Sequence, residues 1–196
     1  MNVKKILSRK YVLASRSERR IRLLKQIGLN FIVYPSEIEE DEDNYSVPTK
    51  IIRRNSEAKA KEVSTRFHDE IIIAADTIVV LGNLILHKPS SLKRAKNYLK
   101  VLSGQTHIVY TGIYLVDTFT GKELFNYVKT AVKFRKLDTS EINYYVENFK
   151  PLDKAGAYGI QDDFGCLFIE EIRGDYYNVV GLPLSRLYIM LNEIVG

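Results

Sequence analysis

The sequence predicts a mixed α/β fold, on three observations. Short apolar runs alternate with helical patterns through the first half of the chain, a long hairpin-like stretch fills the middle, and one more strand with a closing helix ends it. Mixed topology follows, because alternation favours parallel pairing while the hairpin must be antiparallel.

The elements follow in order. "KYVLAS" reads as a buried strand leading into "SRSERRIRLLKQIG". There Ser17 is a good N-cap and Glu18 suits the positive end of the helix dipole. Ile21, Leu24 and Ile27 form an apolar stripe, and Gly28 is a stop signal. "NFIVYPS" is a second strand before an acidic loop, and "VPTKIIRRNSEAKAKEVSTRF" is a helix with Pro48 close to its start. "DEIIIAADTIVVLGNLIL" gives two apolar β runs interrupted at Asp76-Thr77, with a turn at Gly82-Asn83. "SSLKRAKNYLKVLSG" carries a serine cap, Leu92, Ala95, Leu99 and Leu102 at helical spacing, and a stop at Gly104. "THIVYTGIYLVDTFTGKELFNYVKTAVKF" is the long hairpin, turning near Thr120-Gly121. "DTSEINYYVENF" is a short helix capped by Asp138 or Thr139, with Glu141 available for a capping box. The last stretch, from Gly165 to Ile194, gives a strand, a turn at Gly174-Asp175 and the closing helix. No repeat, low-complexity tract or linker interrupts the 196 residues, which are expected to form a single domain.

Composition narrows the function classes. With one cysteine, Cys166, and three histidines, an intrachain disulfide and a Cys/His metal cage are both out. "MNVKKILSRK" lacks the apolar core of a signal peptide and no run approaches membrane-spanning length, so a cytoplasmic location is expected. A net charge of +5 favours anionic partners of some kind. The basic residues are interleaved with acidic ones, which disfavours nucleic acid, and most of the tyrosines stand beside aliphatic residues as packing groups. The phosphate loop G-x-x-x-x-G-K-[ST], the dinucleotide fingerprint, H-E-x-x-H and G-x-S-x-G are all missing from the sequence. The triplet Asn44-Tyr45-Ser46 matches a glycosylation acceptor by chance in a chain without a signal peptide.

Five places carry candidate chemistry. Arg19 and Arg20 fall at a helix N-terminus, where a cation is disfavoured by roughly 0.3–1 kcal/mol unless an anion is present. Backbone N–H groups and two guanidinium forks together suit a phosphate, and pointing into water is the plain alternative. "EIEEDED", Glu37 to Asp43, packs six carboxylates into seven residues. It is either a solvated loop or a place where one of Glu39 or Glu40 turns inward to hold a hard cation such as Mg²⁺. Asp76 follows "IIIAA" directly, a carboxylate where a buried strand is expected to end, able to bind metal or orient a water. An Asp-Thr turn is the structural alternative. Lys88, fixed by Pro89, can reach a phosphate as a point charge. In "DKAGAYGIQ", between Lys154 and Gln161, the glycines imply close approach of the backbone to a packed element or a ligand.

In order, "LASRSERRIRLL", "EIEED", "AADTIVV", "HKP", "LSGQTH", "DKAGAYGIQ" and "NVVGLPL" resemble the motif series of the Maf family of nucleoside triphosphate pyrophosphatases, once called septum formation inhibitors. The likeness runs from about Tyr11 to Leu191. It implies a two-lobed mixed sheet with flanking helices, related to the inosine triphosphate pyrophosphatases, with a nucleotide cleft between the lobes. It implies hydrolysis of a nucleoside triphosphate to the monophosphate and pyrophosphate, with Mg²⁺ as the cofactor and Mn²⁺ as the alternative. Position by position, Ser15, Arg19 and Arg20 correspond to the phosphate-binding segment, Lys59 to the helix lysine and Lys88 to the lysine before proline. Asp76 corresponds to the catalytic aspartate, as base, metal ligand or both, and Glu39 to the acidic residue after the second strand, the two that would hold Mg²⁺. Arg19, Thr77 and Gln161 resemble the branch acting on dTTP and UTP, with purine or 7-methyl-GTP hydrolysis as the alternative within the fold. A nucleic-acid-binding regulatory module is the alternative outside it. The family often forms dimers. Glu18 stands where the family has proline, and His87 where it has glycine.

Overall fold

The computed structural model describes residues 3–42, 47–161 and 164–196; Asp43 and the Asn44-Tyr45-Ser46 triplet lie outside them. The elements are α1 (Val3–Ser8), β1 (Tyr11–Leu13), α2 (Glu18–Gln26), β2 (Phe31–Val33), α3 (Pro48–Ser64), β3 (Ile71–Leu81) and β4 (Leu84–Leu86). They continue with α4 (Leu92–Leu102), β5 (Thr106–Asp117), β6 (Glu123–Phe134), α5 (Thr139–Phe149), β7 (Ile169–Arg173), α6 (Tyr176–Val180) and α7 (Leu184–Val195). Short 3₁₀ turns occupy Ala155–Ala157 and Phe164–Phe168. The described strands form a seven-stranded sheet in the order β2-β1-β3-β5-β6-β7, with β4 paired to β3. It is mixed as expected: β1 is parallel to β2 and β3, whereas β3/β4 and β6/β7 are antiparallel.

The chain divides into two compact units, and the division falls inside β3, β5 and β6. The first comprises Met1–Asp76, Thr111–Val128 and Gly181–Gly196. Its core joins Val12 and Ala14 with Ile72, Ala74, Tyr114 and Val116, closed over by Ala60 and Val63 of α3. Side chains alternate across a strand, so Asp76 follows Ile72 and Ala74 on the face that α3 covers. Helix α2 begins as expected, with the Ser17 side chain accepting from Arg20 N. The Tyr11 hydroxyl donates to Ile6 O at 2.8 Å, tying α1 to β1; α1 is an element the sequence reading did not anticipate.

The second unit comprises Thr77–Tyr110 and Lys129–Val180. Leu99 and Leu102 of α4, Ile142, Tyr145 and Val146 of α5, and Val132, Phe134 and Phe168 fill its core. Ser91 caps α4, and Asp138 with Glu141 forms the anticipated capping box on α5.

Two expectations are corrected. β3 runs unbroken for eleven residues through Asp76-Thr77, so the aspartate lies within a strand and the Asp-Thr turn does not form. The polar residue is tolerated because α3 supplies partners for its carboxylate, described below. The closing segment is two helices, because Gly181 at φ 118° and Pro183 at the N-cap of α7 separate α6 from α7.

Candidate active site

The Asp76 carboxylate is gripped at both oxygens by one helix. Asn55 and Lys59 stand four residues apart on α3 and therefore share a face. Lys59 Nζ donates to Asp76 Oδ1 at 2.9 Å, and Asn55 Nδ2 donates to Asp76 Oδ2 at 3.1 Å. Lys59 Nζ also donates to Glu40 Oε1 at 2.7 Å. One ammonium thus bridges two carboxylates, with side-chain exposures of 8% for Lys59, 4% for Asp76 and 30% for Glu40. At such distances the gross attraction per pair is about 6 kcal/mol at an effective dielectric constant of about 20, large enough to offset much of the desolvation of a lysine.

Asn55 has a second task. Its Oδ1 accepts from Asp41 N at 2.9 Å and its Nδ2 donates to Asp41 O at 3.2 Å, so the amide pairs with the backbone of the acidic loop as another strand would. Arg54 adds an ion pair to the Asp41 carboxylate at 2.9 Å, on the surface.

Arg20 builds the floor of the same region. Its Nε donates to Gly181 O at 2.9 Å, and its Nη1 donates to Ala75 O at 2.9 Å and Ser15 Oγ at 3.2 Å. Ser15 Oγ also accepts from Ser17 N at 3.2 Å. Burial pulls the Arg20 guanidinium below its ordinary pKa, while the charges of Asp76 and Glu40 act to raise it and Arg19 to lower it. The guanidinium therefore fastens the Ser15 turn, the residue before Asp76 and the residue after α6 to one another, all within the first unit.

The structure brings together Ser15, Arg20, Lys59 and Asp76 of the anticipated residues, with Arg19 half-buried on the first turn of α2. Glu39 is exposed, and the acidic residue on Lys59 is its neighbour Glu40. Asn55 was missed, although a polar residue at i−4 from Lys59 on the stripe of Ile51, Ile52, Ala60 and Val63 was a usable signal. Glu18 is exposed as the first residue of α2, where a negative charge suits the helix dipole.

The remaining candidates belong to the second unit. Thr77 is half-buried on β3, Lys88 is exposed in the β4–α4 loop, and Gln161 is half-buried. His87 is 6% exposed, its Nε2 lacks a hydrogen-bond partner, and its carbonyl accepts from Gly156 N at 3.3 Å. Gly156 adopts φ 68°, and a Cβ there would lie 3.0 Å from Val79 Cγ2. The close approach implied by that glycine is to packed β3.

Asp76 and Glu40 form a hard, all-oxygen donor pair already converging on a cation, which suits a divalent ion such as Mg²⁺. Among the described residues no group of three or more His, Cys, Asp or Glu side chains is placed to hold a metal. Mg²⁺ commonly binds through one or two carboxylates with water and phosphate completing its shell, so the Asp76–Glu40 pair is enough to serve it.

Comparison with known proteins places the chain. The family model described as Maf-like protein matches residues 10–194. A protein of Dictyoglomus thermophilum named dTTP/UTP pyrophosphatase is 41% identical over 189 residues, covering 96% of this chain and 97% of that one. A protein of the same name from Bacillus anthracis is 46% identical over 185 residues, covering 94% and 95%. Another from Clostridium tetani is 43% identical over 187 residues, covering 94% and 97%. The Ham1 protein of Staphylococcus aureus is a structural neighbour with a TM-score of 0.48 and 13% identity, covering 64% of this chain and 72% of that one. Among the described residues no helix is long and apolar enough to cross a membrane.

Proposed function

The chain belongs to the Maf family, and we propose that it is a nucleoside triphosphate pyrophosphatase acting on dTTP and UTP. The observation that carries the chemistry is the buried Asp76 carboxylate, held at both oxygens and sharing the Lys59 ammonium with Glu40. The substrate rests on the names of relatives 41–46% identical over nearly the whole chain. In the reaction, the oxygen of a water forms a bond to phosphorus, the bond across the α–β bridge breaks, and pyrophosphate leaves. Asp76 orients that water and takes its proton. Arg19 and the N-terminal turn of α2 bind phosphate oxygens, with Ser15 and Arg20 holding that turn in shape. Lys59 offsets negative charge at the reacting centre, and Lys88 binds phosphate as a point charge. Thr77, Gln161 and Arg19 select the base.

A divalent cation belongs to the same proposal: Asp76 and Glu40 would hold Mg²⁺, or Mn²⁺ in its place, and the ion would neutralise phosphate charge. The contact of Lys59 with Glu40 favours that residue over Glu39 as the second ligand. Homodimer formation is inferred from the family resemblance and a cytoplasmic location from the composition of the sequence, and light scattering after size exclusion reads the first.

The test is turnover of a panel of pyrimidine, purine and 7-methyl-guanosine triphosphates with Mg²⁺, reading monophosphate and pyrophosphate. Pyrophosphate from dTTP and UTP ahead of the others is expected. No turnover by folded protein overturns the enzyme reading, and orthophosphate as first product places the cut at the wrong bond. Asp76→Asn should lower kcat by about 10²–10⁴ while nucleotide binding persists.

A further inference from the structure

Asn55 does more than fill a place on α3. The residue is 5% exposed, and its amide makes one contact to Asp41 N, one to Asp41 O and one to Asp76 Oδ2. Lys59, four residues later, repeats the pattern with charge: one contact to Asp76 Oδ1 and one to Glu40 Oε1. The helix therefore grips the same two objects twice, the strand carboxylate and the acidic loop. The two grips differ in what they leave adjustable. Lys59 is a point charge on a flexible stem and can keep either carboxylate while the other moves. Asn55 is a short planar fork whose acceptor and donor match the N–H and C=O of a single residue, so it fixes the position of the backbone at Asp41. Glu40 is the residue before Asp41, and its backbone is placed by the same clamp.

We propose that Asn55 is a positioning residue that latches the acidic loop to Asp76, and that it thereby sets how tightly the Asp76–Glu40 pair binds a divalent cation. The proposal rests on the cation site put forward above and adds a residue that no resemblance pointed to. Without the latch both carboxylates remain, but the loop must be ordered each time the ion binds. Partners that orient the ligands of a metal typically affect affinity by about 10–100-fold when removed, and the lower end applies here because Lys59 still holds Glu40.

The test uses the full chain without nucleotide. Mn²⁺ serves as a paramagnetic probe, with its dissociation constant read by electron paramagnetic resonance and isothermal titration calorimetry. Asn55→Leu keeps the side-chain bulk and removes the fork, and Asn55→Ala removes both. Each should weaken Mn²⁺ binding about tenfold. With nucleotide and rising Mg²⁺, the Mg²⁺ concentration for half-maximal rate should rise in the same proportion. Ser56→Ala removes a buried hydroxyl that donates to Ile52 O at 2.6 Å on the same helix, and it should leave Mn²⁺ affinity unchanged. Unchanged Mn²⁺ affinity in both Asn55 variants overturns the proposal. So does an equal weakening in Ser56→Ala, which would trace the effect to the stability of the helix, and so does failure of the unmodified chain to bind Mn²⁺. Because Mn²⁺ binding is measured without turnover, loss of the pyrophosphatase reading and loss of this one are separate results.

Discussion

Lys59→Met tests whether the ammonium is the keystone of the cluster. Methionine keeps most of the stem volume, so the perturbation is the charge alone. In the native protein that charge lies 2.9 Å from Asp76 Oδ1 and 2.7 Å from Glu40 Oε1. Removing one partner of a buried pair costs about 3–5 kcal/mol, because the groups left behind are desolvated without compensation. Glu40 is 30% exposed and recovers some hydration, whereas Asp76 at 4% does not but keeps its Asn55 bond, which favours the lower figure of about 3 kcal/mol. In a chain of this size each kcal/mol moves Tm by about 2–4 °C, so a fall of about 6–12 °C is expected. Circular dichroism melts of the two proteins, each with and without Mg²⁺, read both halves of the reasoning. The variant presents the two carboxylates without the ammonium between them, so Mg²⁺ should raise its Tm by more than it raises that of the native chain. An unchanged Tm would refute the stated role of the ammonium, and an equal Mg²⁺ response in both proteins would refute convergence of the carboxylates on one cation.

The two neighbouring glutamates should separate cleanly. Glu40→Gln is expected to weaken Mg²⁺ activation by about 10–100-fold, and exposed Glu39→Gln to leave it unchanged, as read from rate against Mg²⁺ concentration. His107 gives a pH dependence of stability. Burial holds its imidazole neutral with the pKa pulled down to about 4, from an ordinary 6.5. The unfolded chain therefore binds a proton that the folded one refuses between those values, and stability falls as pH drops through that window. Between pH 7 and pH 5 the loss from this group is about 2 kcal/mol, which urea unfolding at the two pH values should register and His107→Gln should remove. Gly156→Ala should cost about 1–3 kcal/mol, since an alanine at φ 68° is strained and its Cβ would crowd Val79; a melt matching the native chain would show that the segment can shift.

Most elements were legible because local chemistry and tertiary packing agree. The capping box of α5 and the serine caps of α2 and α4 rest on side chains a few residues from the backbone they serve. The continuity of β3 was not legible, since a charged residue among isoleucines and alanines reads as a break until its partners are known. Those partners, Asn55 and Lys59, are 21 and 17 residues away. Helix α1 was hidden for a similar reason. Its six residues bury only Ile6, and although the Tyr11 hydroxyl just beyond it ties it to β1, its packing is on α7, near the other end of the chain.

The arginines at the start of α2 show how far charge pattern alone can lead. A guanidinium at the positive end of a helix invites an anion, and the sequence offers no way to see a competing set of acceptors. For Arg20 that set exists: Gly181 O, Ala75 O and Ser15 Oγ take its Nε and Nη1. Carbonyl oxygens carry partial negative charge, so they relieve part of the same electrostatic misfit from inside the protein. One of the three belongs to the residue preceding Asp76, which means the arginine also helps fix the backbone on which the candidate catalytic carboxylate stands. The acidic loop was obscure for a different reason. Six carboxylates in seven residues have no helical or strand period to say which one turns inward. Resemblance picks Glu39, yet the contact with Lys59 is made one residue later. What distinguishes Glu40 is its place beside Asp41, whose backbone Asn55 holds, so the choice is made by a residue on another element.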